Sequence, residues 1–261
     1  MVVRNSAARY AASIGLTIAP FAALVALWWL LRLTGLINPN LLPSPLQVAQ
    51  TFWSTLTDSN LLTNITMSVV RVLGGLLLGT AAAVPVGFLI GWYRPVGRLL
   101  DPLINFFRAL PPIALIPLVI VYLGIGEIAK IAILFYASFF AAVIVMYEGM
   151  SAISPIYVRV ARTLGATDFE IFARVMVPLT VPHMLVALRV ALGVCWATLV
   201  AAELVAAQEG LGAMIQNASA FFELNTIYLG IICIGALALL MDTILRRLTA
   251  RIVGWQEKIE R

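Results

Sequence analysis

The chain has 261 residues, of which 62% are apolar and only 11% charged. A soluble domain carries roughly 45–50% apolar and about 25% charged residues, so a soluble globular domain and a disordered chain are both excluded. The net charge of +5 does not signal nucleic acid, because the cations sit between apolar runs in the pattern of a membrane topology.

A spanning helix takes about 20 apolar residues. The apolar runs place six spans, at 13–35, 62–92, 99–122, 128–149, 179–206 and 226–248, in one transmembrane domain covering 1–261. The expected fold is therefore an all-α integral membrane protein with six transmembrane helices. Arg4 and Arg9 precede the first run, which is longer than the core of a secretion signal and reads as a retained span. Arg94, Arg98, Arg159, Arg162 and Arg174 fall in alternate loops with the cationic C-terminal segment, which puts both termini in the cytoplasm.

After span one, Ser44 is placed to cap a helix with Pro45 at its first position. Leu46, Ala49, Trp53 and Leu56 recur on one face, as in an amphipathic helix lying on the outer membrane surface. Span two carries Gly75, Gly79, Ala83, Gly87 and Gly91 at four-residue spacing, which lets another helix approach closely. Arg71 belongs to the same series, and Pro85 interrupts it. Span three is irregular at Arg108-Ala109-Leu110-Pro111-Pro112 and again at Pro117. Broken backbone at membrane depth is tolerated only inside protein or beside a water-filled cavity, so a kink and a pathway both fit.

The segment 154–178 is the most informative. Ser154-Pro155 starts a helix that should run to about Leu164, and Gly165 stops it. Thr167-Asp168-Phe169-Glu170 is a capping box that opens a second short helix, and Val177-Pro178 starts span five. Ile156, Val160 and Leu164 give the first helix an apolar stripe, and Phe169, Phe172 and Met176 do the same for the second. The resulting cytoplasmic knob fits either a folded connector or a piece that docks into a groove of another protein.

Span five holds Arg189, Gly193, Trp196, Val200 and Glu203 on one helical face. Arg189 lies about 16 Å beyond Pro178, near mid-membrane. A charge at that depth faces a protein interior or cavity and has a partner. Arg71 and Arg189 therefore either pair internally, with Glu203 or a freed carbonyl, or line a cationic pathway for a small anion. Arg108 at the broken span and Trp196, as an apolar wall, complete that expected pathway set.

No catalytic, metal or cofactor residue is expected. The chain's lysines, Lys130 and Lys258, lie outside any phosphate-binding loop. There is no HExxH, no GxSxG and one histidine, His183; Cys195 and Cys233 lack metal-ligand spacing. An ATP-independent channel or secondary transporter is the rival class, but the two halves show no obvious internal repeat of the kind many such transporters have.

The stretch Arg159-Val160-Ala161-Arg162-Thr163-Leu164-Gly165, then nine residues, then Val175-Met176-Val177-Pro178, resembles the EAA loop of ATP-binding-cassette importer permeases. That loop reads Glu-Ala-Ala, three residues, Gly, nine residues, Ile-x-Leu-Pro. Arg159 stands where the pattern has Glu, a departure that fits the nitrate/sulfonate/taurine/bicarbonate branch, whose members vary at that position. Leu42-Pro43-Ser44-Pro45, Leu110-Pro111-Pro112-Ile113-Ala114, Tyr122-Leu123-Gly124-Ile125-Gly126-Glu127, and Ala201-Ala202-Glu203-Leu204 with Gly210-Leu211-Gly212 also resemble that branch. The ordered set spans about residues 40–255.

The resemblance implies a type I importer permease in the bacterial inner membrane, multi-pass and without an ATPase site of its own. Its partners would be a second permease copy, two cytoplasmic ATPase subunits that bind ATP-Mg, and a periplasmic or lipid-anchored binding protein. It further implies that Arg159, Val160, Ala161, Arg162, Leu164, Gly165, Ala166 and Pro178 couple to the ATPase. The expected substrate is a sulfonate or taurine-like anion, with nitrate, bicarbonate or an aromatic carboxylate as alternatives.

Overall fold

The structure, a computed structural model, describes residues 4–35, 38, 41–58 and 60–254, with side chains described from Ala19 onward except that of Ala206. The helices, in order, are α1 (Arg4–Leu33), α2 (Pro45–Thr57), α3 (Asn60–Trp92), α4 (Arg94–Ala109), α5 (Ile116–Leu123) and α6 (Glu127–Ser151). They continue with α7 (Pro155–Thr163), α8 (Asp168–Ile171), α9 (Val177–Ala206), α10 (Leu211–Ala220) and α11 (Leu224–Ile252). Helices α3, α6 and α11, and a continuous helical rise from Asp168 to Val205, are each long and apolar enough to cross a membrane. The described apolar part of α1, Ala19–Leu33, is shorter.

The expected single span over 99–122 is instead two helices. α4 and the segment Pro112–Leu123 meet at an angle of 83°, joined through a 3₁₀ turn at Pro112–Leu115. Pro111 and Pro112 cannot donate backbone hydrogen bonds, and a proline pushes the residue before it out of the helical region. Leu110 and Pro111 accordingly adopt ψ values of 119° and 126°. Pro85 lies inside α3, which continues through it to Trp92.

α6 is the central helix. The glycine ladder of α3 packs on it: a Cβ on Gly87 would stand 2.5 Å from the Met146 Cβ, and one on Gly79 would stand 2.8 Å from the Phe135 carbonyl oxygen. Gly75 faces Leu134 in the same way, and Ser138 Oγ donates to the Gly75 carbonyl at 2.8 Å. α9 packs on another side of α6, with the His183 ring filling the space over Gly149. The lone histidine is thus a packing residue.

The remaining helices fix the opposite end of this bundle from the 154–178 loop. Ser44 caps α2 in a reciprocal box with Gln47 (2.8 and 3.1 Å). Val48 and Leu56 turn toward Leu61, Leu211 and Leu229, while Leu46, Ala49 and Trp53 remain exposed. Leu56 therefore leaves the expected stripe, and the other three carry it. Trp28 ties α1 to this group by donating to the Pro43 carbonyl (3.0 Å) and stacking on Tyr228.

Candidate functional site: an exposed knob, a polar helix face and a buried ion network

The knob is built by local chemistry. Ser44-type capping recurs at Ser154, which accepts from the Ile156 amide, and Thr167 forms a reciprocal box with Glu170. Gly165 adopts φ +85°, a left-handed conformation that an L side chain resists, so α7 stops there and the chain reverses. The second helix differs from expectation. α8 is a single turn that passes through a π turn, Phe172–Met176, directly into α9. Phe172 packs edge-on against Phe88 and Trp92, and Met176 is buried with the same core. Phe169 lines an apolar cleft with Val84, Pro85, Phe88 and Leu89 of α3 but is 78% exposed, and Leu164 is 83% exposed. Ile156, Tyr157 and Val160 are also exposed, whereas Val158, Ala161 and Ala166 pack toward the bundle. Of the coupling residues expected from sequence, Val160 and Leu164 project outward, while Ala161 and Ala166 anchor the knob. Arg162 and Asp168 pair across the turn at 2.8 Å.

On its inner side, α7 bounds a cleft of about 730 Å³ whose charged lining comes from Arg94, Arg98, Asp101, Arg159, Arg162 and Asp168. A separate, smaller pocket of about 130 Å³ shares Ile90, Asp101 and Tyr147 with this cleft and is also lined by Asn105, Arg108 and Glu148. Tyr136 on α6 donates to the Phe107 carbonyl at the bend, which fixes how deep α4 climbs.

At the far end lies a buried ion network. Arg71, 1% exposed, donates from Nε and Nη2 to the two carboxylate oxygens of Glu127 at 2.6 and 2.7 Å. Its Nη1 donates to Glu203 Oε1 and to the Glu209 carbonyl, both at 2.6 Å. Lys130 donates to Glu127 at 2.8 Å. Ser68 Oγ stands 2.8 and 2.9 Å from the Glu203 oxygens and accepts from the Leu211 amide at 2.9 Å. The Gly212 amide donates to Glu203 and the Gly210 amide to Asn64, each at 2.8 Å. Side chains at positions 64, 68 and 71 of α3, with Glu203 of α9, therefore hold the backbone that enters α10. A buried charge is tolerable only when paired and hydrogen-bonded in this way. Beyond it, Phe221 and Phe222 stand exposed between two polar clefts of about 370 and 360 Å³.

Residues 75–254 match the family model described as the binding-protein-dependent transport system inner membrane component. The chain belongs to this family. A probable ABC transporter permease of Brucella abortus is 45% identical over 94% of this chain and 97% of its own. The taurine transport system permease of Escherichia coli is 34% identical over 94% and 91%. The nitrate import permease of Leptolyngbya laminosa is 29% identical over 91% and 87%. A chain of the MetNI methionine ABC transporter, solved in inward-facing conformations, has the same fold with a TM-score of 0.66 at 20% identity, over 75% of this chain and 97% of its own. The protein is thus a multi-pass inner-membrane permease of the ABC class, with taurine, sulfonate and nitrate permeases among its relatives.

The permease distributes the residues expected along its pathway over four places. Arg71 and Glu203 pair with each other in the far-end network. Arg189 pairs instead with Asp242 on α11 at 2.8 Å, and Asp242 also pairs with Arg246 at 2.9 Å. Trp196 is buried in the main core, and its indole N–H finds no acceptor among the described residues. Arg108 is exposed on α4 and makes no ion pair among the described residues. Sequence reasoning missed two things. Glu127, the partner of Arg71 on α6, and Lys130, which pairs with Glu127 in turn, carried no local signal for Arg71. The polar face of α4, Arg94, Arg98, Asp101, Asn105 and Arg108, was written in the sequence as spacings of four, three, four and three.

Proposed function

We propose that this permease forms the membrane pathway of an ATP-driven importer for a small anion, most simply a taurine-like sulfonate. Six spans, α1, α3, the bent α4–α5 pair, α6, α9 and α11, make one transmembrane domain over 1–261 and put both termini in the cytoplasm. The knob is then cytoplasmic, and the Arg71 network lies at the outer end. The chain binds no cofactor of its own. Two ATPase subunits carry ATP-Mg, a second permease copy completes the pathway, and a binding protein docks on the outer face around Phe221 and Phe222.

The observation that carries this reading is the knob. Leu164, Phe169, Val160 and Ile156 are exposed apolar side chains on the knob, and on a segment that reaches the cytoplasm such a surface belongs against a partner. Its connections suit a coupling element. α7 follows α6 after a three-residue link, and α8 runs through the π turn into α9. Displacing the knob as the ATPase subunits close therefore moves α6 and α9, the helices that hold Glu127 and Glu203 at the other end. The anionic substrate class is supported by the names of the taurine, sulfonate and nitrate relatives and by the arginine-lined cleft behind the knob. The test is uptake of taurine, an alkanesulfonate and nitrate by the complete transporter in proteoliposomes. ATP-dependent accumulation of one of them is expected; accumulation that is unchanged when ATP is withheld would refute the reading in favour of a channel or secondary transporter.

A further inference from the structure

Within that importer reading, we infer that the polar face of α4 is the wall of the cytoplasmic half of the anion pathway, with Arg108 its deepest charge. Arg94, Arg98, Asp101, Asn105 and Arg108 follow one another on a single face. Over the span from Arg94 to Arg108 this face rises about 21 Å at 1.5 Å per residue.

The depth comes from α6. The contact between Tyr136 and the Phe107 carbonyl sets the top of α4 against a point about 14 Å from the Glu127 end of α6 and about 22 Å from its Ser151 end. α4 therefore climbs into the membrane and does not lie along its surface. Its other exposed side is apolar, with Leu99, Leu103 and Phe106 uncovered, as suits lipid. The polar side is exposed as well. A row of charges at this depth requires water or protein against it. Arg71 and Arg189 have carboxylate partners, but Arg94, Arg98 and Arg108 make no ion pair among the described residues. Their guanidinium groups are free to meet the oxygens of a sulfonate or nitrate, for which a planar fork of donors is well shaped. Asp101 lies between the arginines, and Glu148 faces the same pocket from α6. These carboxylates weaken the hold on an anion, so that it passes from Arg108 toward Arg98 and out through the cleft behind the knob without being trapped, as multi-site conduction requires.

The experiment uses the complete transporter in proteoliposomes without nucleotide. The native Cys195 and Cys233 are buried, so the background of thiol labelling is low. Asn105→Cys on the polar face and Leu103→Cys on the apolar face are each exposed to a charged, membrane-impermeant methanethiosulfonate from the cytoplasmic side. Asn105→Cys should react about tenfold faster or more, because a charged reagent reaches water-lined positions and not lipid-facing ones. Arg108→Gln should lower anion uptake about tenfold or more while the complex still purifies with all its subunits, with Arg108→Lys intermediate. Equal labelling of the two cysteines, protection of Asn105→Cys by a second copy packed over this face, or parent-level uptake by Arg108→Gln would overturn the proposal. The labelling ratio needs no substrate. A parent transporter that takes up no anion would therefore refute the importer reading while the ratio still decides whether α4 faces water.

Discussion

Replacing Arg71 by Met should destabilise the permease more than any other single charge removal in the far-end network. Glu203 is buried, and Arg71 is its counter-ion at 2.6 Å. Without Arg71 the Glu203 carboxylate retains Ser68 and the Gly212 amide but no cation. Breaking a buried pair from one side costs about 3–5 kcal/mol. Glu127, by contrast, is 45% exposed and keeps Lys130, so it adds little to the loss. Glu203→Gln should cost less, because Arg71 then still holds both Glu127 oxygens. For a chain of this length each kcal/mol moves the melting temperature by about 2–4 °C, so Arg71→Met should lower it by about 6–20 °C. The assay is thermal unfolding of the purified permease in detergent or nanodiscs, with Arg189→Gln as the comparison. The Arg189–Asp242 pair is partly exposed, and its loss should cost less than about 1 kcal/mol. Hydrogen exchange should rise at 210–214 in Arg71→Met, where the network clamps the backbone. A melting temperature within about 2 °C of the parent, or a smaller drop than Arg189→Gln gives, would refute the reasoning.

Gly79→Val should prevent stable folding, because its Cβ would meet the α6 backbone at Phe135 and Phe139 within 2.9 Å, whereas Gly193→Ala has nothing within 4 Å and should melt as the parent does. Thermal melts or expression of detergent-stable protein check this pair. Gly165→Val should leave the membrane bundle folded but abolish substrate-stimulated ATPase activity of the assembled transporter, since a β-branched residue resists φ +85°. Leu164→Asp should shift the isolated permease's melting temperature by less than about 2 °C, as expected for an exposed site, yet reduce copurification with the ATPase subunits at least several-fold.

The features legible in the sequence are those whose causes lie within a turn or two of chain. Ser44, Ser154 and Thr167 cap helices with groups two or three residues away, and Gly165 ends α7 through its own φ. The glycine ladder announced a close helix neighbour, because small residues four apart make a groove on any helix. The four long apolar helices followed from apolar length, and the prolines at 111 and 112 marked where the third apolar run breaks. What the ladder could not say was which helix fills it; only the fold brings α6 there. The same limit applies to charge. Arg71 meets partners 56, 132 and 138 residues away in the chain, and Arg189 finds Asp242 across 53 residues. No local preference encodes such pairings; they arise because burying a charge is unfavourable until the packed helices deliver a counter-ion. The knob shows both sides at once. Its two apolar stripes were plain in the sequence, but tertiary packing buried Met176 in the core and set Phe172 against Phe88 and Trp92 of α3, while Leu164 and Phe169 stayed largely uncovered, because which side chains meet a neighbouring helix is decided by the packing of distant segments.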